Sequence, residues 1–116
     1  MKNKNKQNMI SAVLYCFTTT DPEEQITAIF EQTRRLEEYV QSTGIYNIVG
    51  YYSDCDEPGT ALKDRQGFNQ MIADSERGTF KCILIDGFSK LCSNDSDNMY
   101  MFNALNSAHL SLNCYY

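Results

Sequence analysis

Hydrophobic and polar positions along the chain fall into blocks that change period. Ile10 to Phe17 is a near-continuous apolar run without charge, the pattern of a strand covered on both faces. Beyond it Ile26, Ile29, Phe30, Leu36, Tyr39 and Val40 recur at helical spacing. Asp21, Pro22 and Glu24 suit the N-cap, first and third positions of a helix. Gly44 suits its C-terminal stop, and Glu31 can pair with Arg35 one turn on. The spacing predicts a helix from about Pro22 to Thr43. Ile45 to Tyr52 reads as a second strand, and SDCDEPGTALKD after it as a polar loop. Gln66 to Arg77 is predicted helical, with Phe68, Met71 and Ile72 inward and Gly78 closing it. Cys82 to Ile85 is a short apolar strand. Ser89 to Asn98 is a polar loop rich in capping residues. Met99, Phe102 and Leu105 mark a third helix, and Leu110 to Tyr115 a fourth strand.

The order β-α-β-α-β-α-β predicts an α/β fold in three layers: a mostly parallel β-sheet with helices on both faces. Residues 10–116 form one domain behind a flexible N-terminal arm, residues 1–9. In such sheets ligands gather at the carboxyl ends of the strands. That rule selects Phe17–Asp21, Ser53–Arg65 and Asp86–Asn94 and places them on one edge.

Composition narrows the choice of chemistry. A net charge of −5 lacks the basic footprint of an autonomous nucleic-acid binder. No apolar run reaches the length of a membrane span, and no signal peptide is visible. The scattered set of 5 cysteines suits a reduced, cytoplasmic protein. His109 has no spaced partner, so no metal is expected.

The selected edge carries hydroxyls and cations. Thr18, Thr19 and Thr20 come from the first segment. Asp54, Asp56, Lys63, Asp64 and Arg65 come from the second, and Asp86, Ser89, Lys90 and Ser93 from the third. A hydroxyl can attack a phosphate while cations offset the developing charge, and the helix start after the threonines adds partial positive charge. A response-regulator-like aspartate pocket would instead need paired Asp residues ending the first strand, and they are absent. The same residue types also serve as ordinary caps and turn formers.

Three segments in order carry a family resemblance. Tyr15-Cys16-Phe17-Thr18-Thr19-Thr20 resembles the Tyr-x-Arg-Val-Ser-Thr pattern of the resolvase/invertase family, the serine recombinases, and Gln32 fits a Gln of the helix that follows. Gly59-Thr60-Ala61-Leu62-Lys63-Asp64-Arg65-Gln66-Gly67-Phe68 is similar to that family's Gly-Thr-x-Leu-Lys-x-Arg-Pro-Gly-Phe. Ser89-Lys90-Leu91-Cys92-Ser93-Asn94 resembles its Ser-Arg-Leu-Gly-Arg-Asn. The resemblance implies a resolvase-like catalytic domain for site-specific DNA recombination, in which a serine attacks a backbone phosphodiester, arginines stabilise the transition state, and subunits assemble into dimers and tetramers. No cofactor or metal is implied.

By this resemblance Thr19 holds the nucleophile position, Arg65, Lys90 and Ser89 belong to the catalytic set, and Thr18, Thr20, Lys63, Arg65 and Ser93 to the phosphate or DNA contacts. The chain departs from the pattern where it matters for rate. Thr19 keeps a hydroxyl but adds a β-methyl that stiffens χ1. Phe17 and Ser93 stand at arginine positions, and Lys90 lacks the bidentate fork of arginine. The family's long dimerisation helix and DNA-binding domain have no counterpart in these residues, so DNA would be held through regions outside this chain. The expectation is a recombinase catalytic domain, impaired or inactive, that forms homo-oligomers and has no membrane partner. The alternative is a non-catalytic interaction and oligomerisation module derived from a recombinase.

Overall fold

The computed structural model describes residues 9–18, 22–55, 60–87 and 94–114. Strands β1 (Ile10–Thr18), β2 (Tyr46–Cys55), β3 (Cys82–Ile85) and β4 (Ser111–Cys114) build one sheet in the order β2-β1-β3-β4. Every pairing is parallel. Successive side chains of a strand face opposite sides, and both sides of β1 are buried. Ala12, Leu14 and Cys16 pack with Cys82, Leu84, Tyr46 and Leu36 of helix α1 (Pro22–Thr43). Val13, Tyr15 and Phe17 face the other way, onto Phe68 and Met71 of α2 (Gln66–Asp74) and Met101 and Leu105 of α3 (Asp95–Ala108). The three layers are therefore α1, the sheet, and α2 with α3.

Helix α1 has the predicted span. It ends where the Gly44 N–H donates to the Val40 carbonyl at 3.1 Å, with Gly44 at φ +70°, a left-handed turn that suits glycine. Asp21, its expected cap, lies outside the described residues. The expected pairing differs: Arg34, not Arg35, bonds Glu31 and also Glu38, while Arg35 turns toward the sheet and binds Asp86 at 2.7 Å. The inward arc runs through Ile29, Gln32, Leu36 and Val40. Ile26 and Phe30 are rotated off it and stand 81% and 64% exposed.

Strand β2 runs three residues beyond its predicted end, because Ser53, Asp54 and Cys55 pair with Cys16, Phe17 and Thr18. Its register shifts between Ala12 and Val13. The expected second helix splits into α2 and a 3-10 turn, Ser75–Arg77, before Gly78 at φ +75°. Helix α3 begins inside the predicted loop, capped by Asn94, whose side chain accepts the Asp97 N–H at 2.8 Å. Its buried residues are Asp97, Met101 and Leu105, one turn apart. Met99 and Phe102 are each 62% exposed, so the i, i+3 pattern marked the helix but not its buried face. His109 ends α3 in the left-handed region, φ 56°. Strand β4 begins one residue after its predicted start, Leu110, and the predicted end, Tyr115, lies outside the described residues. Among the described residues no helix is long and apolar enough to cross a membrane. Of the expected arm, residues 1–8 lie outside the described residues.

Candidate active site

Strands β1, β2 and β3 end together, and the polar groups there are organised by side chains from three elements. The pairing of β1 with β3 stops at Tyr15↔Ile85. Phe17 therefore has no β3 residue beside it, and Gln32 of α1 takes that place. Its Nε2 donates to the Phe17 carbonyl at 2.9 Å and its Oε1 accepts the Phe17 N–H at 3.1 Å. One buried amide thus satisfies both backbone groups of the strand end. On the same helix Arg35 reaches the buried Asp86 just after β3.

Asp54 of β2 is the second organiser. One carboxylate oxygen accepts the Tyr15 hydroxyl at 2.6 Å and the Phe68 N–H at 2.9 Å, and the other accepts the Gly67 N–H at 2.7 Å. The carboxylate caps α2 from a neighbouring strand, which fits the partial positive charge of a helix N-terminus. The residue before α2, Arg65, makes no side-chain cap hydrogen bond of its own.

Arg65 lies beside this cluster and is only 3% exposed. Its guanidinium carbon sits 3.7 Å from the centre of the Phe17 ring, a cation–π contact. The Tyr15 phenol is pushed well above its ordinary value, first by burial and then by the hydrogen bond and negative charge of Asp54, with Arg65 opposing the rise. Tyr15 therefore remains a hydroxyl donor at neutral pH. Tyr52, on the same side of the sheet, donates to Asp74 at 2.7 Å. Its phenol is pushed up to about 12, by burial first and then by Asp74.

Raised tyrosine values have a sign. A phenol held protonated by the fold stabilises it fully below its unfolded value and loses that contribution as pH rises through the folded one. Stability against urea is therefore expected to fall as pH climbs from the ordinary 10.0 toward about 12, with tyrosine absorbance changing in step with unfolding. Tyr52→Phe should make that fall shallower. An unchanged slope would place the Tyr52 ring in solvent.

The segment between β2 and α2 is pinned to α3. Asp97 is buried, and its Oδ1 accepts the Leu62 N–H at 3.0 Å within the 3-10 turn Leu62–Asp64. Tyr100 donates to Asn69 at 2.6 Å, and Asn69 donates in turn to the Lys63 carbonyl at 2.8 Å. This turn presents Lys63 outward and Arg65 inward.

Of the predicted site residues, Thr18 ends β1 and is buried, Arg65 is buried beside Phe17, and Lys63 is exposed. Thr19, Thr20, Ser89, Lys90 and Ser93 lie outside the described residues. Sequence reading placed Arg65 in the catalytic set and among the phosphate contacts, and missed its burial under an aromatic ring. It paired Arg35 with Glu31, named Asp54 only among the polar residues of the edge, and gave no role to Asp97. Asp97 did carry a signal, an acid three residues after a capping Asn, but its partner is distant in sequence. Among the described residues no group of three or more His, Cys, Asp or Glu could hold a metal ion.

The arrangement can be set beside known proteins. The family described as Resolvase, N terminal domain, matches residues 12–115. The catalytic domain of ISC1926 TnpA, an IS607-like serine recombinase, superposes with a TM-score of 0.72 at 16% identity, over 92% of this chain and 68% of that one. The N-terminal catalytic domain of TP901-1 integrase gives 0.73 at 23% identity, over 88% and 75%. A resolvase family site-specific recombinase from Streptococcus pneumoniae gives 0.72 at 22% identity, over 91% and 72%. Among curated proteins none matches the chain.

Proposed function

Because the chain belongs to the resolvase family through that family's N-terminal domain, we propose that it is a site-specific recombinase catalytic domain whose strand-cleaving chemistry is impaired. The observation that supports this reading is the state of Arg65. It is the one arginine retained at the positions where the family pattern has arginines. Yet it is 3% exposed, with its charged face against Phe17, a residue that itself replaces an arginine. On this reading a guanidinium stacked there is committed partly to the fold and offers a phosphodiester less of its charge. Removing one preorganised charge donor lowers rate by roughly a hundredfold to a thousandfold. With Phe17, Ser93 and Lys90 also departing from arginine, the losses compound.

The reaction at stake has a simple balance. The Thr19 hydroxyl oxygen forms a bond to the phosphorus, the bond from phosphorus to the 3′ oxygen breaks, and the 3′ hydroxyl leaves with a proton. The DNA end remains attached through its 5′ phosphate, and the reverse step reseals it. On this reading Thr19 is the attacking group, Arg65, Lys90 and Ser89 complete the catalytic set, and Thr18, Thr20, Lys63, Arg65 and Ser93 contact the phosphate. DNA is the partner, bound largely through parts of a recombinase additional to this acidic domain, and the domain works in an oligomer.

The test joins the chain to a DNA-binding domain of known site and looks for covalent protein–DNA adducts on denaturing gels. The native residues should give none. The combination Thr19→Ser, Phe17→Arg, Lys90→Arg and Ser93→Arg should restore the adduct. An adduct formed by the unaltered chain through Thr19 would overturn the proposal.

A further inference from the structure

Strand β2 stands first in the sheet order, so one side of its backbone faces no strand among those described. It has 10 residues, and Tyr46–Cys55 contains no Lys, Arg, Glu or Pro. Its single charged residue, Asp54, is buried. Strand edges are normally guarded by charge or proline, because their unpaired N–H and C=O groups recruit another strand. This edge offers apolar surface instead: Ile45, Val49 and Tyr51 are all exposed. Carboxylates flank it on both faces of the sheet. Glu37 of α1 accepts the Tyr51 hydroxyl at 2.8 Å, and Asp74 of α2 accepts that of Tyr52 at 2.7 Å.

We propose that residues 1–6 of the chain's own N-terminal arm dock on the outer edge of β2 as an antiparallel strand. Position supports this occupant. The Ile10 N–H donates to the Ile45 carbonyl at 2.8 Å, so the chain enters β1 directly beside the start of β2. The outer side of β2 lies two strand spacings from β1, about 10 Å. Residues 7–9 span about 10 Å when extended and can pass beneath the start of β2. Residues 1–6 then run back along the edge for about 20 Å, the length of six residues of β2. Such strand addition draws its affinity from main-chain hydrogen bonds.

Charge selects the same occupant. Lys2, Lys4 and Lys6 alternate with Asn3 and Asn5. In a strand that period puts all three ammonium groups on one face, where a flanking carboxylate awaits them on either side of the sheet. Residues 1–8 carry 3 basic residues and no acidic one, whereas residues 9–116 carry 7 basic and 15 acidic. The arm is therefore attracted to the body that it precedes. Its tether also gives it an effective concentration on the order of millimolar, which a separate basic peptide lacks. Lysine on an edge strand discourages further pairing, so the docked arm would supply the guard that β2 itself does not have. The inference does not depend on whether the β1–β3 edge cleaves DNA.

The test is NMR of the whole chain at low ionic strength. Nuclear Overhauser contacts are expected between residues 2–6 and residues 46–52. The β2 amides that point away from β1 should exchange with solvent about tenfold or more slowly than in the triple variant Lys2→Glu, Lys4→Glu, Lys6→Glu. Amides of β3 should exchange alike in both proteins, which shows that the variant keeps the fold. A native chain without those contacts, equal β2 exchange in the two proteins, or protection that grows with protein concentration, as for an arm lent to another copy, would each overturn the proposal.

Discussion

Gly67→Ala is expected to cost the domain about 3 kcal/mol or more, at the upper end of overpacking effects. A Cβ on residue 67 would lie 2.2 Å from the Ser53 carbonyl oxygen and 2.9 Å from both carboxylate oxygens of Asp54. The Asp54 side chain could turn away, but the Ser53 oxygen belongs to the backbone of β2. Strand and helix would have to separate by about an ångström, taking apart the hydrogen bond from the Gly67 N–H to Asp54. For a domain of this size the melting temperature should fall by roughly 10 °C or more. Gly87→Ala is the control, since among the described residues nothing lies within 4 Å of a Cβ there. Thermal unfolding followed by circular dichroism separates the two. If Gly67→Ala melts with the native chain, α2 does not approach β2 as closely as described.

Asp54→Ala is expected to cost about 3–5 kcal/mol, the range for breaking a buried hydrogen-bonded carboxylate network. It strips an acceptor from the Tyr15 hydroxyl and from the Gly67 and Phe68 N–H groups at once. Each is left with a desolvated donor, which costs more than the hydrogen bond was worth. Tyr15→Phe removes one donor together with its need for a partner, so it should cost only about 1 kcal/mol. The double variant should then be less destabilised than the sum of the two, because the orphaned hydroxyl is gone. Urea titration of the four proteins closes the cycle. Strict additivity would mean that Asp54 and Tyr15 do not share the hydrogen bond.

Both predictions concern the segment that most resembles the recombinase pattern, Gly59 to Phe68. Its motif was legible as a string of residues, but its purpose in this chain was not. Gly67 is required by the close approach of two elements that are separate in sequence. Arg65 suggested a phosphate contact because arginine at a strand edge is the usual donor. Its actual place depends on Phe17, and the contact between them spans 48 positions, from 17 to 65. Period-3.6 reasoning located α1 and α3 but did not say which face is buried: Ile26, Phe30, Met99 and Phe102 are exposed. Apolar residues recur on more than one side of each helix, and only the position of the sheet says which side is covered.

The sequence by itself determined the α/β class, the order of elements, the span of α1 and the limits of β3. These follow from local rules: apolar periodicity, capping and stop residues, and parallel crossovers. The tertiary structure alone decided that Gln32 completes the end of β1, that Asp54 caps α2 from β2, that Arg35 goes to Asp86, and that Arg65 is buried under Phe17. Each is a contact between groups far apart along the chain. A polar side chain's partner is set by which elements lie adjacent after the core has formed, and no local pattern encodes that adjacency.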